Sequence, residues 1–569
     1  VILAEAIVLD KNSQLLPNKA FPWRLQHSPR RRPKGTSKER MCRQDSSNIP
    51  SQSAAAPSCT TEQVLVAQPY RQAPKETMHL GGFDALRLLF CSAVVAHHVT
   101  FYTAAIHADI EGLADWSGNS FLAFTNGAGF PAVDGFFMIS GFFTTLTLLK
   151  KRTNFQVKSW IQSVLLRCLR FWPLHLVVVL LALSRGDPLY WSASRPAWDR
   201  IVTTFLGKNY YDNVRGWFDL TSTPLWSNCA DMHITAVLLL IVPLTRTLNL
   251  NPKKTLFAAL IVGIAIRAAV FATNSGCMRL SCLDHPTTTF LGAGDPLVST
   301  FVQDFGMPAL EVKPAACQTC PLTNEAWIQT YAPLYANSHA RAAPFFVGAS
   351  MATYFSDLSS KQHRSQSIAL ETSTQGLMPK SNWNSQSLLF QLFFIAAITW
   401  VSERHGLFGL LGFSPVLTSS LPEAALEVVG GTFDAVAWAS IALPTMVPRN
   451  HLFRFEMWSA VLAHPLLRAP ARLTFCIYCL HWPVMIEVLR ILPKEWLLQV
   501  VERTNSGLSS NRNSILSNGS FGHSFAILLL YVVVMTLTVL AASLAHRLVE
   551  EPCLKLTKRW MMRQADKQA

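Results

Sequence analysis

The sequence predicts an all-α polytopic membrane protein with about ten transmembrane helices. Three observations carry this. Half of the 569 residues are hydrophobic and only 15% are charged, too few charges for a soluble chain of this length. Long apolar runs recur, among them LHLVVVLLAL and FAILLLYVVVMTLTVLAASLA. Basic and acidic residues alternate from one connection to the next, as in a chain threading back and forth through a bilayer.

Taken in order, residues 1–79 read as a disordered basic cytoplasmic tail, rich in Ser, Gln, Pro and Arg, with RRRPK at 30–34. VILAEAIVL at the start is apolar but has no basic flank before it, so it is not read as a signal peptide. Ten candidate spans follow at 83–104, 131–149, 161–184, 233–248, 254–273, 342–356, 387–401, 432–447, 473–492 and 524–546. A crossing takes about 20 apolar residues at roughly 1.5 Å each. The runs at 342 and 432 are short or broken by Gly and Pro. Residues 557–569 form a second basic cytoplasmic tail.

The formal net charge is +15. A nucleic-acid partner is one reading of such a balance, but the distribution speaks for topology. KKRTNFQVK at 150–158, Arg246 with Lys253 and Lys254, Lys361 with Arg364, Arg449, Arg454, Arg468 and Arg472, and the tail from Arg547 fall in alternate connections. Asp109, Glu111, Asp115, Glu403, Glu423 and Glu427 occupy the others. Ten spans with both termini cytoplasmic satisfy this pattern, and no nucleic-acid partner is expected. Cys277, Cys282, Cys317 and Cys320 lie in the 274–341 connection assigned outside. Two disulfides there suit an oxidising compartment, and zinc held by CQTC with CMRLSC is the alternative. The sequon at Asn518 is also assigned outside.

The first span, FDALRLLFCSAVVAHHVTFY, carries polar groups that are expensive in a bilayer. As a helix it sets Arg87 and His98, eleven residues apart, on one face, with Asp84 three residues before Arg87 and in pairing reach. His98 then stands about 16 Å along the axis from Arg87. An intramembrane histidine is a functional hypothesis by default, and histidine titrates where a general base should. The bland reading is a histidine satisfied by a neighbouring helix, and His97 suits that reading better. Other polar positions converge. Asp134 lies at the mouth of the second span, where Ser140-Gly141 offers a small face for close helix approach. Arg167 and Arg170 share a helix face in LLRCLRFWPLH, a pair suited to phosphate, although topology anchoring is the plain alternative. Asp231 and His233 stand at the outer entry of the fourth span, and Tyr478 and His481 lie in the ninth.

These residues resemble the membrane acyltransferase-3 family. The Arg87-to-His98 spacing, Arg167-x-x-Arg170, VDGFFMISGFF, LWSNCADM, IYCLHWPV and RLVEEP, which holds Glu550, are similar to its motifs and follow in its order over residues 80–556. ARAAPFFVGASMATYF and Asp231-Met232 are similar to its nose-resistant-to-fluoxetine branch. The resemblance implies O-acyl transfer, acetyl being the simplest group, from cytoplasmic acyl-CoA to a hydroxyl of a lipid, sugar or other acceptor in or across the membrane. It casts His98 as the base, with Asp231 orienting it or the acceptor. Arg167 and Arg170, with Arg87, would hold the CoA phosphates, and Asp84, Asp134, Ser140, Tyr478, His481 and Glu550 would support them. Acyl-CoA is then a co-substrate, with no bound cofactor or metal expected. The rival reading is a lipid or small-molecule transporter, since intramembrane Asp, Arg and His also line transport paths. No inverted repeat accompanies them. Plasma membrane and endoplasmic reticulum both suit the chain.

Overall fold

In hydrocarbon, each backbone N–H and C=O must find its partner within the segment or in a closed barrel. Apolar runs of this length therefore become helices. The computed structural model describes residues 81–106, 120–151, 155–185, 225–273, 338–371, 394–403, 423–443, 446, 460–509 and 520–568. The four candidate disulfide cysteines and Asn518 lie outside them, as do residues 1–80.

The described helices are α1 Gly81–Ile106, α2 Ser120–Gly127, α3 Gly129–Lys151, α4 Val157–Arg185, α5 Leu225–Thr247, α6 Pro252–Thr273, α7 Ala342–Glu371, α8 Phe394–Glu403, α9 Glu423–Ala442, α10 Pro465–Ala471, α11 Thr474–Ile491, α12 Lys494–Ser509 and α13 Ser520–Ala545. A π turn, His546–Glu550, joins α13 to α14 Glu551–Gln568. The expected tail from 557 is therefore helical as far as Gln568.

Seven of these are long and apolar enough to cross a membrane: α1, α3, α4, α5, α6, α11 and α13 with its extension. The protein is a multi-pass membrane protein. The candidate runs at 342, 387 and 432 fall on α7, α8 and α9. α7 turns polar after Phe355 (SDLSSKQHRSQS), and among the described residues the apolar parts of the other two, Phe394–Glu403 and Val428–Ala442, are shorter than a crossing.

One boundary is corrected. The fourth span was expected from 233, but α5 begins at Leu225, so Asp231 and His233 lie within the helix rather than at its entry. The reason is burial: Ser227, Asn228 and Asp231 all face protein, and hydropathy counts them as if they faced lipid.

The bundle is organised around the α3–α7 crossing. A Cβ on Gly141 would strike the carbonyl of Phe345, and one on Gly348 would strike that of Met138. Two glycines thus let the backbones touch, as membrane helices do where small residues meet. α1 packs antiparallel to α3, with Phe90 over Gly135 and His97 over Gly129. α1 and α11 run parallel, Cys91 bonding the Thr474 carbonyl and His98 bonding His481. α4 is parallel to both: Phe171 packs on Phe475, and Asn228 bridges His175 to Cys479.

Charge collects at one end of this bundle. The C-termini of α3 and α5 meet there through Arg246 on the Leu149 carbonyl, and Phe155 N–H donates to Thr247. The N-termini of α1, α4 and α11 point the same way. Lys150, Lys158, Arg246, Lys253, Lys254, Arg468, Arg472 and Arg547 therefore gather at a single end, where Lys253 pairs with Asp357.

Candidate active site

The parallel run of α1, α4 and α11 stacks the site in two layers. The layer nearer the basic end is cationic. Arg87 donates to Asp84 at 3.1 Å and lies over the Phe143 ring. Arg167 reaches Asp231 Oδ2 through Nη2 at 2.6 Å and Nε at 3.1 Å, and Nη2 also donates to Ser140 at 2.5 Å. Arg170 is exposed and has no hydrogen-bond or ion-pair partner among the described residues. It lies within Coulombic range of Arg167, Arg87, Glu550 and Asp231. Three guanidiniums thus converge from α1 and α4 on one level, two of them already paired with carboxylates. The third offers its donor fork to an anion.

The second layer is built on histidine. His98 Nδ1 lies 2.7 Å from His481 Nε2, the two rings stacked within 7°. His481 Nδ1 in turn faces the Tyr478 carbonyl at 2.8 Å. A carbonyl only accepts, so His481 carries its proton on Nδ1 and presents a lone pair at Nε2. His98 must then donate from Nδ1, which puts its own basic lone pair on Nε2. Trp482 stands edge-on to the His98 ring, and Tyr478 Oη bonds Ser227 at 2.7 Å. Arg87 lies eleven residues before His98 on α1, so the cationic layer at Arg87 sits about 16 Å along the axis from His98.

Asp231 was expected to orient His98 or the acceptor. In the structure its carboxylate takes Arg167, and His481 bonds the His98 imidazole. Asp134 and Ser140 also divide. Ser140 joins Arg167, whereas Asp134 accepts Arg341 Nη1 on both oxygens at 2.8 and 3.0 Å, the side chains being 3% and 4% exposed. Glu550 lies beside Arg170 and bonds Cys476 and His546. His97 packs against Phe130 and Gly129. His233 bonds Ser338 at 2.9 Å.

A family model described as an acyltransferase domain, Acyl_transf_3, matches residues 80–547. That span holds both layers. The chain belongs to the acyltransferase-3 family. It is an integral-membrane acyltransferase. The comparisons with curated proteins and with solved structures gave no match.

Several residues of this acyltransferase escaped the sequence reading. Arg341 and His175 are buried polar groups, His175 bonded to Asn228 at 3.1 Å. His175 stands in LLRCLRFWPLH and breaks an apolar run just as His98 does. The same rule that singled out His98 would have found it. Ser227 and Asn228 looked like loop residues before a span, and nothing in their pattern marks them as intramembrane.

Proposed function

We propose that the chain transfers an acyl group, acetyl as the simplest, from cytoplasmic acyl-CoA to a hydroxyl of a lipid, sugar or other acceptor in or across the membrane. The basic end is taken as the cytoplasmic face, with both termini there. The acyltransferase domain occupies residues 80–556, between tails 1–79 and 557–569. The membrane is the plasma membrane or the endoplasmic reticulum. ARAAPFF and Asp231-Met232 support membership of the nose-resistant-to-fluoxetine branch. Nucleic acid has no part.

The CoA phosphates bind at Arg170, within the field of Arg87 and Arg167. The uncharged pantetheine arm runs along the bundle toward the histidine layer. His98 Nε2 takes the proton of the acceptor hydroxyl as its oxygen attacks the thioester carbonyl. The C–S bond then breaks, and the CoA thiolate leaves with the proton from His98. During attack the positive imidazolium is shared through Nδ1–H into His481, whose own proton faces the Tyr478 carbonyl. A base so positioned contributes about 10² to 10⁴ in rate.

The His98–His481 bond is the observation that carries this reading, since it selects the tautomer a base at Nε2 requires. The experiment is transfer of label from radiolabelled acetyl-CoA in membranes holding wild type, His98→Ala or His97→Ala at equal inserted levels. Loss in His98→Ala alone is expected. Equal labelling by wild type and His98→Ala removes His98 from the chemistry.

A further inference from the structure

Cys476, His546 and Glu550 stand together where α11 begins and α13 ends. The Cys476 thiol donates to Glu550 Oε2 across 3.0 Å, and His546 Nδ1 is 2.7 Å from the same oxygen. The Sγ, Nδ1 and carboxylate atoms all lie within 4.8 Å of one another. Cys476 is fully buried and Glu550 nearly so, while the His546 side chain keeps 26% exposure and leaves a way in. The acyl-transfer steps use neither Cys476 nor His546. A second observation marks the place. His546 and Glu550 are the first and last residues of the π turn, the one such turn among the described residues. Single π turns give up regular helical bonding and concentrate at functional positions.

We propose that Cys476, His546 and Glu550 form a binding site for a divalent cation of the zinc class, which pins the π turn to the first turn of α11. Sulfur, imidazole nitrogen and carboxylate oxygen together select a borderline-soft ion; magnesium and calcium prefer oxygen alone. Charge fits as well. One thiolate and one carboxylate neutralise a dication, so the loaded site carries no net charge at the edge of the hydrocarbon. On binding, the thiol proton leaves to solvent, and the imidazole ligates through Nδ1 with its proton on Nε2. Zinc bonds of about 2.0 to 2.3 Å set tetrahedral ligands roughly 3.3 to 3.6 Å apart. The two contacts to Oε2 need to open by less than about 1 Å. Three protein ligands leave a fourth position on the His546 side.

The test uses the full chain purified in detergent, stripped with a chelator and titrated with Co²⁺ as a coloured stand-in for zinc. The wild type is expected to gain a thiolate-to-cobalt absorption band at one equivalent, bleached by added Zn²⁺. Cys476→Ser keeps a hydroxyl to donate to Glu550 and should melt with stripped wild type, yet lose the band. His546→Asn, at a part-exposed position, should weaken cobalt binding by roughly 10- to 100-fold. No thiolate band in wild type overturns the site. So does an undiminished band in Cys476→Ser, which assigns the metal to other cysteines.

Discussion

Arg167 and Asp231 hold each other across α4 and α5, and the carboxylate accepts twice through one oxygen. A cation and an anion enter the bundle as a unit, with side chains 21% and 10% exposed. Removing one member of a buried pair leaves the other uncompensated and costs about 3–5 kcal/mol. Asp231→Asn should therefore melt well below wild type in detergent. The double variant Arg167→Met/Asp231→Leu should regain most of that loss while remaining inactive. Wild-type melting of Asp231→Asn would show that the pair does not hold the two helices.

His481 acts through His98, as a positioning residue. His481→Ala should lower kcat by less than the roughly 10² to 10⁴ expected for His98→Ala. Its KM for acyl-CoA should stay unchanged, because the cationic layer lies elsewhere. His481→Gln can restore an acceptor to His98 Nδ1–H and should recover part of kcat. Kinetics across the three variants decide the matter. A change confined to KM would give His481 a binding role instead.

Arg170 is the arginine of the cluster with no partner to give up. A charge-assisted hydrogen bond is worth about 1.5–3 kcal/mol. Arg170→Ala should raise KM for acyl-CoA roughly 10- to 100-fold with kcat nearly kept, and Arg170→Lys should fall between. An acyl-pantetheine without the nucleotide should not distinguish the variants. If it does, Arg170 acts on something other than phosphate.

The α3–α7 crossing makes a sharper stability test than any apolar contact. At Gly141 and Gly348 the obstacle is backbone, which cannot rotate away as a side chain can. Overpacking a core costs about 1–3 kcal/mol, and Gly141→Ala or Gly348→Ala should reach at least that range. Gly263→Ala, which meets Ala343 less closely, should cost less. Melting temperatures of the three in one detergent settle the order.

The helices were legible because lipid enforces a simple rule: a long apolar run is a helix. The described residues of each of the ten runs fall on a helix or at its end. The rule fails where a helix faces protein, which is why α5 was started late at 233. The Asp84–Arg87 pair was readable because i,i+3 geometry is local. Asp231 with Arg167, Asp134 with Arg341, and His98 with His481 were not, since each joins segments far apart in the chain and depends on how the bundle packs. The residue types were visible; their partners were set by packing.

The His98–His481 bond also has a consequence in time. Its two halves are 383 positions apart in the chain. At about 5–20 residues per second, a ribosome inserts the first histidine roughly 20 to 75 seconds before it makes the second. For that interval α1 sits in the bilayer with a polar ring whose eventual partner does not yet exist. Until then α1 must be sheltered by the insertion machinery, by water or by the helices made in between. A chain released before its last third is made cannot mature into an enzyme, and it exposes a polar ring by which quality control can recognise it.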